Sequence, residues 1–153
     1  MPRFVSNRDF DFFQHINKEL LMDIVDVPIV LYKIIPDLAD TNIYGEVTSG
    51  KPRYKPMQLH ALIRYTKTNQ KYEGFGFDVT QTEVEFRLQR KLLMDAQIFP
   101  DVGDIISYNG NLYEVHNINE IQLVGNQETK NHSVICYAHL SRKSASDIEE
   151  THI

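Results

Sequence analysis

Gly103-Asp104-Ile105-Ile106-Ser107-Tyr108-Asn109-Gly110-Asn111-Leu112-Tyr113-Glu114-Val115 sets Asn109-Gly110 between two runs rich in β-branched and aromatic residues. A two-residue hairpin turn needs positive φ at both central positions, and Asn followed by Gly supplies it at the least steric cost. The stretch therefore predicts a tight β-hairpin. Phe99-Pro100-Asp101-Val102, just ahead of it, reads as a chain-reversing lead-in with no obvious reactive group.

Further strands flank the hairpin. His132 to Leu140 reads as one. Upstream, Val84, Phe86 and Leu88 alternate with Glu83, Glu85 and Arg87, which predicts a strand with an apolar inner face and a polar outer one. Arg90 to Ala96 fits one or two helical turns, and Lys67 to Gln81 reads as a loop. Met57, Leu59, Ala61, Ile63 and Tyr65 alternate with Gln58, His60, Leu62, Arg64 and Thr66, so this segment predicts a half-buried strand. Val25 to Ile35 is an apolar run holding Pro28, which lacks a ladder donor and points to an edge or bulged strand.

Ser6 to Asp23 predicts a helix, with Phe10, Phe13, Asn17, Leu20 and Ile24 on one stripe widened by Ile16 and Leu21. Ser6 and Asp9 have capping-box spacing, and Asp9 and Asp11 suit the positive helix start. Pro36 to Pro56, with Gly45, Gly50 and Pro52, has little periodicity and reads as a long loop or arm. Ser141 to Ile153 is a polar tail expected to be disordered. The whole predicts a mainly β, β-rich α+β domain over residues 1–140. Its form is a small antiparallel barrel or bent sheet, with helix 6–23 leading and loop 36–56 protruding.

A chain of 153 residues is most simply one domain able to bury a true core. The single cysteine, Cys136, excludes an internal disulfide. Met1-Pro2-Arg3 opens no signal peptide, and no apolar run approaches the ~20 residues of a membrane span. The expectation is a soluble product made inside a cell, with no membrane partner.

Chemistry is sparse. The histidines, His15, His60, His116, His132, His139 and His152, form no metal-binding motif, although His132 and His139 could approach His116 across strands. Cys136 shares a strand face with Val134, Ala138 and Leu140, which makes it a buried hydrophobe. Its odd offset from His139 points the two side chains to opposite faces. Glu83, Glu85, Asp101 and Asp104 are the one carboxylate set that could hold a divalent metal for phosphodiester cleavage. The simpler account makes the glutamates a solvated strand face and the aspartates turn residues bonded to local backbone. Gly74-Phe75-Gly76-Phe77 is no phosphate loop, because an aromatic fills the gap and no helix start follows. The expectation is a protein without catalytic, metal or cofactor residues.

Charge is unevenly placed. Val47 to Tyr72 holds no Asp or Glu but six basic residues, Lys51, Arg53, Lys55, Arg64, Lys67 and Lys71. The other ten basic residues face all 21 acidic ones. This basic segment, with Tyr54 among its residues, could touch nucleic-acid phosphates, meet the acidic face of a neighbouring copy, or simply be solvated. A net-negative chain is a poor high-affinity DNA binder, and only Tyr54 and Tyr65 interleave aromatics with the basic residues.

Tyr44-Gly45-Glu46, Lys51-x-Arg53-Tyr54-x-Pro56, Gly76-Phe77-Asp78-Val79-Thr80-Gln81-Thr82 and Pro100-Asp101-Val102-Gly103-Asp104-Ile105-Ile106, ending in Tyr113-Glu114-Val115, together resemble neck proteins of tailed bacteriophages. These are the head-closure and head-to-tail connector components, and the resemblance spans about Tyr44 to Leu140. It implies a β-barrel-like virion subunit that assembles with identical copies into a ring around the DNA channel. The ring would sit between portal or adaptor and tail proteins, and would be built in the host cytoplasm. It also implies no catalysis and no cofactor, with the N-terminal helix and the long arm as assembly elements. On this reading Lys51, Arg53, Tyr54, Lys55, Arg64, Lys67 and Lys71 contact a partner or the packaged DNA without sequence preference. A tail-terminator or baseplate protein would share the ring; a small metal-dependent nuclease is the alternative of a different class.

Overall fold

In the computed structural model, which describes residues 6–35, 55–72, 77–122 and 131–141, Ser6 starts the first helix with a reciprocal cap. Its Oγ accepts from the Asp9 N–H at 3.2 Å, and the Ser6 N–H donates to Asp9 Oδ2 at 3.3 Å. Helix α1 spans Asn7–Glu19 and runs on into a π-helical turn, Leu20–Val25. The Asp26 N–H closes that turn on the Leu21 carbonyl at 3.2 Å, with Asp26 itself at φ +43°. The helical segment thus reaches two residues past the expected end at Asp23, and Val25 belongs to it.

Seven strands follow. They are β1 (Pro28–Tyr32), β2 (Met57–His60), β3 (Leu62–Tyr72), β4 (Phe77–Gln89), β5 (Ile105–Tyr108), β6 (Asn111–Gln122) and β7 (Asn131–Leu140). A short helix α2, Arg90–Asp95, joins β4 to the turn that enters β5. All pairings are antiparallel, and the order across the sheet is β2-β1-β5-β6-β7-β4-β3. The β5–β6 hairpin turns on Asn109 at φ +50° and Gly110 at φ +78°, with Tyr108 paired to Asn111, as its sequence requires.

Three sequence expectations need correction. Residues 67–81 are not a loop over their length. Lys67 to Tyr72 and Phe77 to Gln81 extend the β3–β4 ladder, whose register runs from Leu62↔Arg87 to Tyr72↔Phe77. Thr66 to Lys71 is polar at every position, so no hydropathy alternation marks that half. Backbone pairing with the opposite strand holds it, and hydropathy does not record that. The segment Met57–Thr66 is not one strand either, because it breaks at Ala61. Its halves pair at opposite ends of the sheet, β2 with β1 and β3 with β4. Nor is Pro28 on an edge strand: β1 lies inside the order, and Pro28 is tolerated as its first residue.

The break at Ala61 shapes the molecule. β2 and β3 are the two end strands, yet only Ala61 separates them along the chain. The sheet must curl until its two ends meet there. Ala61 is fully buried, and its N–H donates to the Val27 carbonyl at 3.2 Å. The ladder order stays open, so the result is a bent sheet, and the barrel among the expected forms is not realised.

The core fills the inner face of the curl with Ile29, Leu31, Leu59, Val84, Phe86 and Val115 among its members. Phe86 is fully buried and meets Tyr113 edge-on at 5.6 Å between ring centroids. The alternation over 83–88 therefore points as expected. Residues 36–54 of the expected loop and all but Ser141 of the expected tail lie outside the described residues.

Candidate functional site

α1 and its π turn present two faces with inverted character. The side chains they bury are Gln14 and Leu21, and the α1–β4 contact includes a polar bond, Gln89 Nε2 to the Gln14 carbonyl at 2.6 Å. A second polar contact, 3.1 Å between Asn17 Nδ2 and His132 Nε2, ties the helix to β7. The apolar residues Phe12, Phe13, Ile16, Leu20 and Ile24 are exposed instead, Phe12 by 61% and Ile24 by 74%. Their near four-residue spacing puts them on one stripe. Of the residues read from the sequence as an apolar stripe, Phe13, Ile16, Leu20 and Ile24 thus face solvent, and Leu21 is buried.

The stripe is a sizeable apolar patch. Taking roughly 200 Å² for a fully exposed side chain of this size, its five residues offer on the order of 500 Å². A standard protein interface needs about 800 Å² per partner, so this stripe alone supplies more than half.

The described part of the basic segment, from Lys55 on, lies at the end strands. Lys55 and Arg64 are exposed, and Arg64 shares the outer face of β3 with the exposed Leu62. Arg64 stands opposite Glu85 in the β3–β4 register, but the Glu85 carboxylate is paired with Arg87 at 3.1 Å. Lys67 and Lys71 lie on β3, with side chains outside the described set; Lys51, Arg53 and Tyr54 lie wholly outside it. Tyr65 is half-exposed on the opposite face of β3 from Arg64.

The four carboxylates considered for metal chemistry do not act as one group. Glu83 pairs with His116 at 2.8 Å, and Glu85 with Arg87. Asp101 pairs with Lys33. Asp104 is fully buried: its Oδ1 accepts from the Ile34 N–H at 2.9 Å and its Oδ2 from the Asp101 N–H at 2.7 Å. Burial pushes its carboxyl above the usual range, opposed by these two N–H bonds and by Lys33. So the Asp101–Asp104 turn does use local backbone bonding, and Asp104 also holds the segment after β1. Among the described residues, no three His, Cys, Asp or Glu side chains are placed to hold a metal ion.

Cys136 is fully buried beside Val134 and Ala138, and burial pushes its thiol up to about 12. Leu140, expected on the same inner face, is 56% exposed at the strand's end. Of the two histidines expected near His116, His139 arrives and His132 does not, being held by Asn17. The Nδ1 atoms of His116 and His139 lie 3.3 Å apart, because Glu114 pairs with His139 and His116, two residues further on, shares its outer face beside a β-bulge between Val115 and Asn117. The sequence allowed this approach; which of the two histidines makes it is set by the β6–β7 register.

A cleft of about 370 Å³ lies between the helical segment, β2 and α2, lined by Lys18, Met22, Leu59, Leu93 and Asp95. Gln89, 3% exposed, also lines it, and its Oε1 has no hydrogen-bond partner. No helix among the described residues is long and apolar enough to cross a membrane. Comparison with known protein families and with curated proteins finds no match to this chain.

Proposed function

We propose that this chain is a non-enzymatic subunit of a tailed-bacteriophage neck, assembling with identical copies into a ring between head and tail around the DNA channel. The observation that carries the reading is the outward apolar stripe of α1. A helix that bonds to its own sheet through Gln14 and Asn17 while exposing Phe12, Ile16 and Ile24 is built to be covered by something else.

A second copy of the chain fits that role by charge. Asp11, Glu19 and Asp23 accompany the stripe on the helical segment. The end-strand region carries exposed Lys55 and Arg64 beside exposed Leu62, within a segment that has no acidic residue. One patch meeting a different, complementary patch is a head-to-tail contact, and a rotation that closes yields a ring. The resemblance to neck proteins supplies the biological setting: portal or adaptor on one side, tail proteins on the other, and DNA passing without sequence-specific contacts.

The test is light scattering and negative-stain electron microscopy on the purified protein, alone and with short duplex DNA at low and moderate salt. Closed rings that leave the DNA intact are expected. A chain that stays monomeric at every concentration and cuts DNA when magnesium is added would sink the reading. Loss of that cutting in Glu85→Ala would establish the nuclease alternative.

A further inference from the structure

We infer that His116 and His139 form a two-imidazole binding site for a divalent transition-metal ion of the zinc class, oriented by Glu83. Three observations meet on the outer face of β4, β7 and β6. The two Nδ1 atoms face each other at 3.3 Å. Glu83 Oε1 lies 2.8 Å from the far nitrogen of His116, Nε2. All three side chains are on the sheet's outer surface, with His116 39% and Glu83 31% exposed, so an ion can reach them.

The proton count leaves the pair two arrangements, a single hydrogen bond or a chelate. The carboxylate of Glu83 accepts from His116 Nε2–H, which leaves the Nδ1 of a neutral His116 with a lone pair. That nitrogen lies 3.3 Å from the Nδ1 of His139. One proton can sit between the two nitrogens, and only in one tautomer of His139. A cation can sit to one side of the line between them, with both rings neutral and both lone pairs turned to it. At Zn–N bonds of 2.0–2.1 Å in tetrahedral geometry, two ligating nitrogens are about 3.3 Å apart. The separation in this structure matches that of two nitrogens sharing a zinc ion.

Glu83 completes a familiar arrangement. Imidazoles that bind a metal through one nitrogen commonly donate the other N–H to a carboxylate, which fixes the tautomer and the ring orientation. Sheet register holds Glu83 there, since it pairs directly with His139 on β7. Glu114 pairs with His139 from the other side, placing a second carboxylate on the same face. Two imidazoles leave coordination positions for water or for a donor from a neighbouring molecule. The inference does not depend on the neck reading, because none of its residues belongs to α1 or to the basic segment.

The test is calorimetric titration of the full-length protein with zinc chloride, alongside nitrogen-detected NMR of the imidazoles. Saturable one-to-one binding is expected, with the Nδ1 signals of both histidines moving together. His116→Ala and His139→Ala should each abolish it. Glu83→Gln should keep the site and weaken it by roughly 10–100-fold. Circular dichroism of each variant separates loss of the site from loss of the fold. The inference is overturned if the wild-type protein shows no saturable uptake, or if a folded His116→Ala/His139→Ala double variant binds zinc as the wild type does.

Discussion

The side-chain amide of Gln89 donates to the Gln14 carbonyl at 2.6 Å, so a polar bond buried at the end of β4 fastens α1 to the sheet. This single contact links two otherwise separate features. It seats the helix with its apolar stripe outward, and it leaves Gln89 Oε1 buried without a partner at the cleft. Replacing Gln89 by Leu removes the donor and the orphaned acceptor together while keeping the volume. The helix carbonyl then loses this bond, but the unpaired oxygen's desolvation cost disappears as well. We expect a net change within about 1 kcal/mol in urea unfolding, whereas Gln89→Ala, which also opens space, should cost about 1–3 kcal/mol.

The stripe itself should matter for assembly and little for folding. Phe12→Gln and Ile16→Gln keep good helix formers at exposed positions, so monomer stability should shift by less than about 1 kcal/mol. The double variant should lose ring formation in light scattering. If rings persist at wild-type concentration thresholds, the stripe is not the contact.

Charge reversal probes the complementary patch. Changing Lys51, Arg53 and Lys55 to Glu should disrupt rings, and on particles it should release the genome. Raising the salt concentration should weaken wild-type assembly in the same direction, because exposed charge pairs are screened within about 10 Å at 0.1 M. Unchanged rings and unchanged particles would remove this segment from the interface.

Phe86 is the packing centre. It is fully buried and touches both Tyr108 and Tyr113 edge-on. Phe86→Ala should therefore cost about 3–5 kcal/mol in denaturant unfolding, through lost transfer energy and the cavity left behind. Phe86→Leu should cost less, since it refills much of that space.

His132 gives the protein one component of its pH dependence. Burial lowers its pKa below the ordinary 6.5, since the charged ring would have to give up solvent. The unfolded chain then binds more protons than the folded one from 6.5 downward, so this residue's contribution falls as pH drops through that window. Well above 6.5, where both states are neutral, no penalty remains. His132→Gln keeps an acceptor for Asn17 and carries no titrating group, so it should flatten that part of the stability profile between pH 5 and 7. An identical slope in variant and wild type would assign the dependence to other groups.

Local chemistry alone determined several elements of this protein. Asn109-Gly110 could hardly make anything but a tight hairpin, because both positions take positive φ. Ser6 and Asp9 capped their helix through bonds three residues apart, and Val84, Phe86 and Leu88 faced inward because alternation in a strand is geometric. Information of that kind is stored within a few residues. What only the tertiary structure decided is stored between segments. Ala61 divides one apparent strand between the two ends of a curled sheet, a choice made by which partners β2 and β3 find. The polar stretch at Thr66–Lys71 becomes strand because β4 pairs with it. α1 turns its apolar stripe outward because Gln14 and Asn17 find partners on β4 and β7. His116 meets His139 because the β6–β7 register sets Glu114, two residues away on the same face, opposite His139. Hydropathy reports how a segment prefers water; it carries no term for which other segment will satisfy it.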